Sequence, residues 1–178
     1  MKKSLLYLVM LAMGITSLTA CSDDDDDKTP ATVNPAVTTE VLSSFKAKYP
    51  DVNVDKEVKW ETKGQYTVAD FDQVNGLQEV EAWFDTKSGE WKMSETDYGE
   101  DWFLLPATLN ANFYKTPYST YEPGDIYYYE YPDATRNTYV VEASKTGQQE
   151  MDLYFDSSCD YIKAVVHTGA DITPDTQH

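Results

Sequence analysis

The chain has 178 residues, with 14 basic against 31 acidic side chains and a formal net charge of −17. That balance opposes binding to nucleic acid or to an anionic membrane face by contact; it favours solubility and basic partners or cations. The length past its N-terminal segments, about 130 residues, suits one compact domain.

The first 20 residues read as a secretory signal. Lys2 and Lys3 form the charged start, Leu5 to Met13 carry most of the apolar run, and small residues end it. The run is too short for a transmembrane helix, and Gly14, Thr16, Ser17 and Thr19 interrupt its end. Leu18-Thr19-Ala20-Cys21 resembles a bacterial lipobox, which implies that Cys21 is the first mature residue and is lipidated. Residues 21–34 then form an acidic tether. Ser22 leads into Asp23, Asp24, Asp25, Asp26 and Asp27, a run that repels itself and stays extended; fully stretched, Ser22 to Asn34 reaches roughly 40 Å at about 3.3 Å per residue. Acidic residues directly after a lipidated cysteine resemble the signal that exports lipoproteins of some gut anaerobes to the outer face of the outer membrane. The expected location is therefore the outer membrane, lipid-anchored and facing outward, with the periplasmic side as the alternative. Removing the signal takes away Lys2 and Lys3 and no acid, so the mature charge is about −19. Cys159 is then the one free cysteine, and no intrachain disulfide forms.

The rest of the chain says one thing twice. Asn34 and Pro35 are placed to start a helix, Val37, Val41, Phe45 and Tyr49 draw one apolar stripe, and Pro50 ends it. Leu105, Leu109 and Phe113 replay that stripe between Pro106 and Pro117. Val58 and Trp60 on a first strand answer to Ile126 and Tyr128, with Lys59 and Tyr127 between them. A second strand runs from Gln65 to Asp72 and again from Arg136 to Ser144, with Tyr66 matched to Tyr139. Its facing stays open, since Tyr66 and Val68 compete with Ala69 and Phe71.

The third strand carries the plainest repeat: Gln78 to Asp85 and Gln149 to Asp156. Val80, Ala82 and Phe84 fall on one side, as do Met151, Leu153 and Phe155; a period of two with one apolar side is a half-buried strand. A hairpin through Asp85–Gly89 leads to Glu90–Met93, and one through Asp156–Asp160 leads to Tyr161–Val166. Gly89 supplies the positive φ of the first turn, and Asp160 is expected to take that place in the second. The repeats span 35–98 and 99–168, each too small to be stable alone, so a shared sheet is expected. Residues 169–178 form a polar tail without assignment.

Phe45 with Tyr49-Pro50, the Val58/Trp60 strand, Tyr66, Trp83-Phe84-Asp85 and Ser88-Gly89-Glu90-Trp91 resemble the PepSY-like, beta-lactamase-inhibitor-like lipoproteins. Leu105-Pro106, Phe113, Tyr139, Phe155-Asp156 and Ile162 carry the resemblance in the second copy, which departs from it where Cys159-Asp160 replaces Ser88-Gly89. The resemblance implies an α+β fold: a tandem repeat of helix plus four-stranded antiparallel meander, the helices on one face of an eight-stranded sheet and the other face open and somewhat concave. It supplies no catalytic residues.

On the open face, parity places Trp83, Tyr127, Tyr129, Tyr154 and Tyr161, with Glu79, Glu81, Glu150 and Asp152 between them. Rings with an apolar body and a polar tip are enriched at interfaces, though they also stiffen exposed sheets. No EF-hand, zinc, phosphate-loop or Ser-His-Asp spacing is present, so neither cofactor nor metal is expected. Cys159 has only His167 and His178 as conceivable bases, and Asp85 and Asp156 read as turn formers. The expected function is non-enzymatic: an anchored, monomeric module that binds a protein or extracellular ligand, which the resemblance implies it does in the manner of an inhibitor. A hydrolase or glycan-handling accessory of the envelope is the alternative.

Overall fold

A computed structural model describes residues 37–73 and 76–176. The signal peptide, the Cys21 lipidation site, the aspartate run, Asn34 and Pro35, and His178 lie outside the described residues.

Helix α1 spans Thr39–Lys48. Thr38, not Asn34, is its N-cap, and its hydroxyl accepts from the Val41 amide at 3.3 Å. Glu40 in the first turn and Lys46 and Lys48 in the last complement the helix dipole. The helix stops at Tyr49, ahead of Pro50, and buries Val41 and Phe45. A single helical turn follows, α2 at Val54–Glu57, which periodicity does not reveal because only Val54 packs, partly buried, against the core. Strands β1 (Lys59–Lys63), β2 (Tyr66–Asp72), β3 (Glu79–Asp85) and β4 (Trp91–Asp97) complete the first repeat. A 3-10 turn at Trp102–Leu104 leads into α3, Ala107–Phe113, which starts after Pro106. Strands β5 (Glu122–Glu130), β6 (Thr138–Ser144), β7 (Met151–Asp156) and β8 (Tyr161–Val166) complete the second.

Among the described residues the strands form one eight-stranded antiparallel sheet in sequence order, β4 pairing with β5 to join the repeats. Val80, Ala82 and Phe84 pack with Val41 and Phe45 of α1; Leu153 and Phe155 pack with Leu109 and Phe113 of α3. The inward parity of the repeated strand is as expected. Each β3–β4 and β7–β8 hairpin carries a bulge at the same place, where Phe84 faces Trp91 and Phe155 faces Tyr161.

Three further details differ from the sequence reading. Thr67 opposes Phe84 and Tyr139 opposes Phe155, so Tyr139 is the counterpart of Thr67, not of Tyr66. A slip of one residue swaps faces, and Tyr66 indeed lies opposite to the helices. Cys159, not Asp160, takes the positive φ of the second turn, at 69° against 72° for Gly89, because that turn is one residue shorter. Tyr161 stacks edge-on against Phe155, with ring centroids 5.7 Å apart, so the bulge turns it to the helix side rather than to the opposite face.

Candidate functional site

The sheet has a second core. On the face away from the helices, Tyr66 and Val68 of β2, Trp83 of β3, Met93 of β4, Tyr129 of β5, Val140 of β6 and Tyr154 of β7 pack together with Tyr131. Strand β2 is thus buried on both sides, with Ala69 and Phe71 facing the helices. That settles the competition between its two apolar sets: each has a core.

Parity placed Trp83, Tyr129 and Tyr154 on this face, and they are there. They are not open to solvent, however: Trp83 is 2 % exposed, Tyr129 4 % and Tyr154 6 %. Tyr127 remains half-buried at the margin, tilted against Tyr129. Part of the cover is the C-terminal tail. Ile172 packs on the cluster, Asp171 reaches Lys63 at 3.4 Å, the Gln65 side chain donates to Asp175 at 3.3 Å, and Arg136 donates to the Thr176 carbonyl at 3.4 Å. Gly169, at φ 65°, lets the chain turn back after His167. A segment read as a polar tail therefore lies across the face, and its one large apolar side chain is its anchor.

The acids fall into groups around two cations. Lys63 is within 3.0 Å of Glu61 and 3.1 Å of Glu81, and its ammonium stands 5.0 Å from the centre of the Trp83 ring. Burial works against that ammonium, but hydrogen bonds to Glu61 and Glu81 carry its pKa above the ordinary lysine value. His167 Nδ1 lies 2.8 Å from Asp152 Oδ1 and 3.7 Å from Glu142 Oε1. The Asp152 hydrogen bond raises the His167 pKa, with burial opposing it. Glu150 holds the chain here through its carbonyl, which accepts from the His167 amide at 2.9 Å. Glu79 is exposed near Asp70, and burial and that neighbour hold its carboxyl above the usual range.

Glu95 is the residue that sequence reasoning missed most plainly. Burial pushes its pKa up to about 7, against the hydrogen bond from Tyr129, and the charges of Glu81, Asp97 and Asp171 push the same way. Met93, Glu95 and Asp97 alternate on β4, so the signal was available as parity, but the expected strand ended at Met93.

No nucleophile–base pair is assembled among the described residues. Cys159 is buried beneath α3, where the Asn112 side chain donates to its carbonyl at 2.8 Å, and His167 is on the opposite face. Asp85 accepts from the amides of Lys87 and Ser88, and Asp156 from those of Ser158 and Asp160, as turn formers do. No helix among the described residues is long and apolar enough to cross a membrane.

Known proteins share this architecture. A BLIP-like protein from Bacteroides fragilis superposes with a TM-score of 0.64 at 29 % identity, over 79 % of this chain and 92 % of that one. A DUF2874 family protein from Bacteroides uniformis gives 0.61 at 25 % identity, over 72 % and 88 %. No curated protein matches the chain. The family model described as beta-lactamase-inhibitor-like, PepSY-like matches residues 65–163, from the start of β2 into β8, and the chain belongs to that family.

Proposed function

We propose that this chain is a lipid-anchored envelope protein, exposed at the cell surface, that binds a partner protein through the helix-free face of its sheet. The observation that carries the reading is the second core: an aromatic cluster on that face, overlaid by a tail whose polar ties are exposed and 3.3–3.4 Å long. Hydrogen bonds of that length between exposed groups contribute little. A partner segment that supplies an apolar side chain in place of Ile172 displaces the tail at small cost. The carboxylates of Glu81, Glu95, Glu142 and Asp152 around the cluster suit a basic partner. The family description names inhibitor-like proteins, which act by binding rather than by chemistry. The anchor rests on Leu18-Thr19-Ala20-Cys21 and the outward address on the aspartate run.

Site-specific photocrosslinking on intact cells tests the binding face. A crosslinking amino acid at Tyr127, at the margin of the cluster, is expected to yield a discrete adduct with a second protein. The same group at Tyr114, exposed beside α3, is expected to yield none. An adduct from Tyr114 and none from Tyr127 places the interface on the helix side and defeats the reading.

A further inference from the structure

We propose that Glu142, Asp152 and His167 form a binding site for a first-row divalent cation, with Zn²⁺ the ion their chemistry fits best. The ligands come from three neighbouring stretches of chain. Glu142 on β6 and Asp152 on β7 lie directly opposite one another. His167 directly follows β8 and continues its pairing through the Glu150 carbonyl. One donor atom from each side chain lies within 4.8 Å of the others. Zinc bonds of roughly 2.0–2.2 Å at tetrahedral angles set donor atoms about 3.3–3.6 Å apart. The observed 2.8 Å and 3.7 Å separations from Nδ1 straddle that spacing, and no two of the three donors are more than 4.8 Å apart, so side-chain rotation can bring them onto one ion.

A plain His167–Asp152 ion pair accounts for the shorter contact and leaves Glu142 unexplained. Its carboxylate is half-buried, 3.7 Å from Nδ1 and beyond hydrogen-bond reach of it. The cavity beside the three, about 290 Å³, is also lined by Glu95 and by Asp171, whose carboxylate reaches Lys63. Glu142 and Asp152 share one imidazole between them, and a divalent cation balances the pair. The cavity also offers space for a water as a fourth ligand. An imidazole donor disfavours Ca²⁺ and Mg²⁺, which take oxygen, and one nitrogen with two carboxylate oxygens suits Zn²⁺. These ligands are brought together by strand pairing at intervals of ten and fifteen residues, which match no metal-binding motif. The site stands at the root of the tail, so a bound ion fixes the point from which the tail crosses the face. It does not depend on the partner-binding reading.

The test is calorimetric titration of the chelator-stripped full chain with Zn²⁺ alone, and with Ca²⁺ in parallel. One equivalent of Zn²⁺ is expected to bind, raise Tm, and give a tetrahedral visible spectrum when Co²⁺ replaces it. H167A is expected to weaken binding at least tenfold. E142Q, which keeps the His167–Asp152 pair and so the local fold, is expected to do the same, while H178A leaves binding unchanged. No saturable Zn²⁺ binding, retention of wild-type affinity in E142Q, or Ca²⁺ binding that survives H167A each overturns the site; the last leaves only a diffuse acidic face.

Discussion

Gly89 and Cys159 occupy equivalent turns with nearly the same positive φ, for different reasons. A Cβ on Gly89 would stand 2.5 Å from the Glu40 backbone, so α1 sits too close for any side chain. In the second repeat, Cys159 carries its thiol into the core under α3 and accepts the strained φ. Gly89→Ala is therefore expected to cost at least about 2 kcal/mol in urea unfolding, since strain and clash add. Glu95 gives a second prediction at this scale. Its folded pKa, about 7, lies above the ordinary 4.5, so the folded state holds the proton more tightly than the unfolded chain. Its contribution to stability is full below about pH 4.5 and is lost as pH rises through about 7. Glu95→Gln, which stays neutral, is expected to match wild type near pH 4 and to exceed it at pH 8 by on the order of 2–3 kcal/mol. Urea midpoints across that range check it, and a gap that narrows as pH rises contradicts the assignment.

At the scale of elements, both faces of the sheet bear a core, and this changes which substitutions matter. Phe84→Ala, under α1, is expected to cost about 3–5 kcal/mol. Trp83→Ala, one residue along and on the opposite face, is expected to cost a comparable amount, because Trp83 is as deeply buried. A sheet with one solvated face would give a much smaller value for Trp83. The repeat, the strand order and the inward set Val80, Ala82, Phe84, Leu153 and Phe155 were legible because period-two alternation in two copies leaves little freedom. The burial of Trp83, Tyr129 and Tyr154 was not. Amphipathic rings look alike on a wet face and in a thin core, and part of the cover comes from a tail whose composition is polar apart from Ile172. The second strand was undecidable for the same reason, since both of its apolar sets are buried. The Glu142–Asp152–His167 grouping exists only in the fold, through the β6–β7 register and one bond from Glu150.

At the scale of the whole molecule, two repeats share one sheet through β4 and β5, and the surplus of acid gathers partly around the helix-free face. The lipid anchor has its own check: Cys21→Ala is expected to abolish metabolic palmitate labelling, and unchanged labelling contradicts it. Replacing Asp23 to Asp27 with alanine is expected to keep the label but protect the protein from protease added to intact cells. The central claim is that a partner takes the place of the tail over the aromatic cluster. The most direct measurement is the affinity, for the protein captured at Tyr127, of the full chain and of a chain ending at Thr168. If the tail competes, its removal is expected to tighten binding about tenfold, chiefly through faster association, and the Trp83→Ala change is expected to weaken it in both backgrounds. Equal or weaker binding by the shortened chain would contradict the account, since the tail would then not be what a partner displaces.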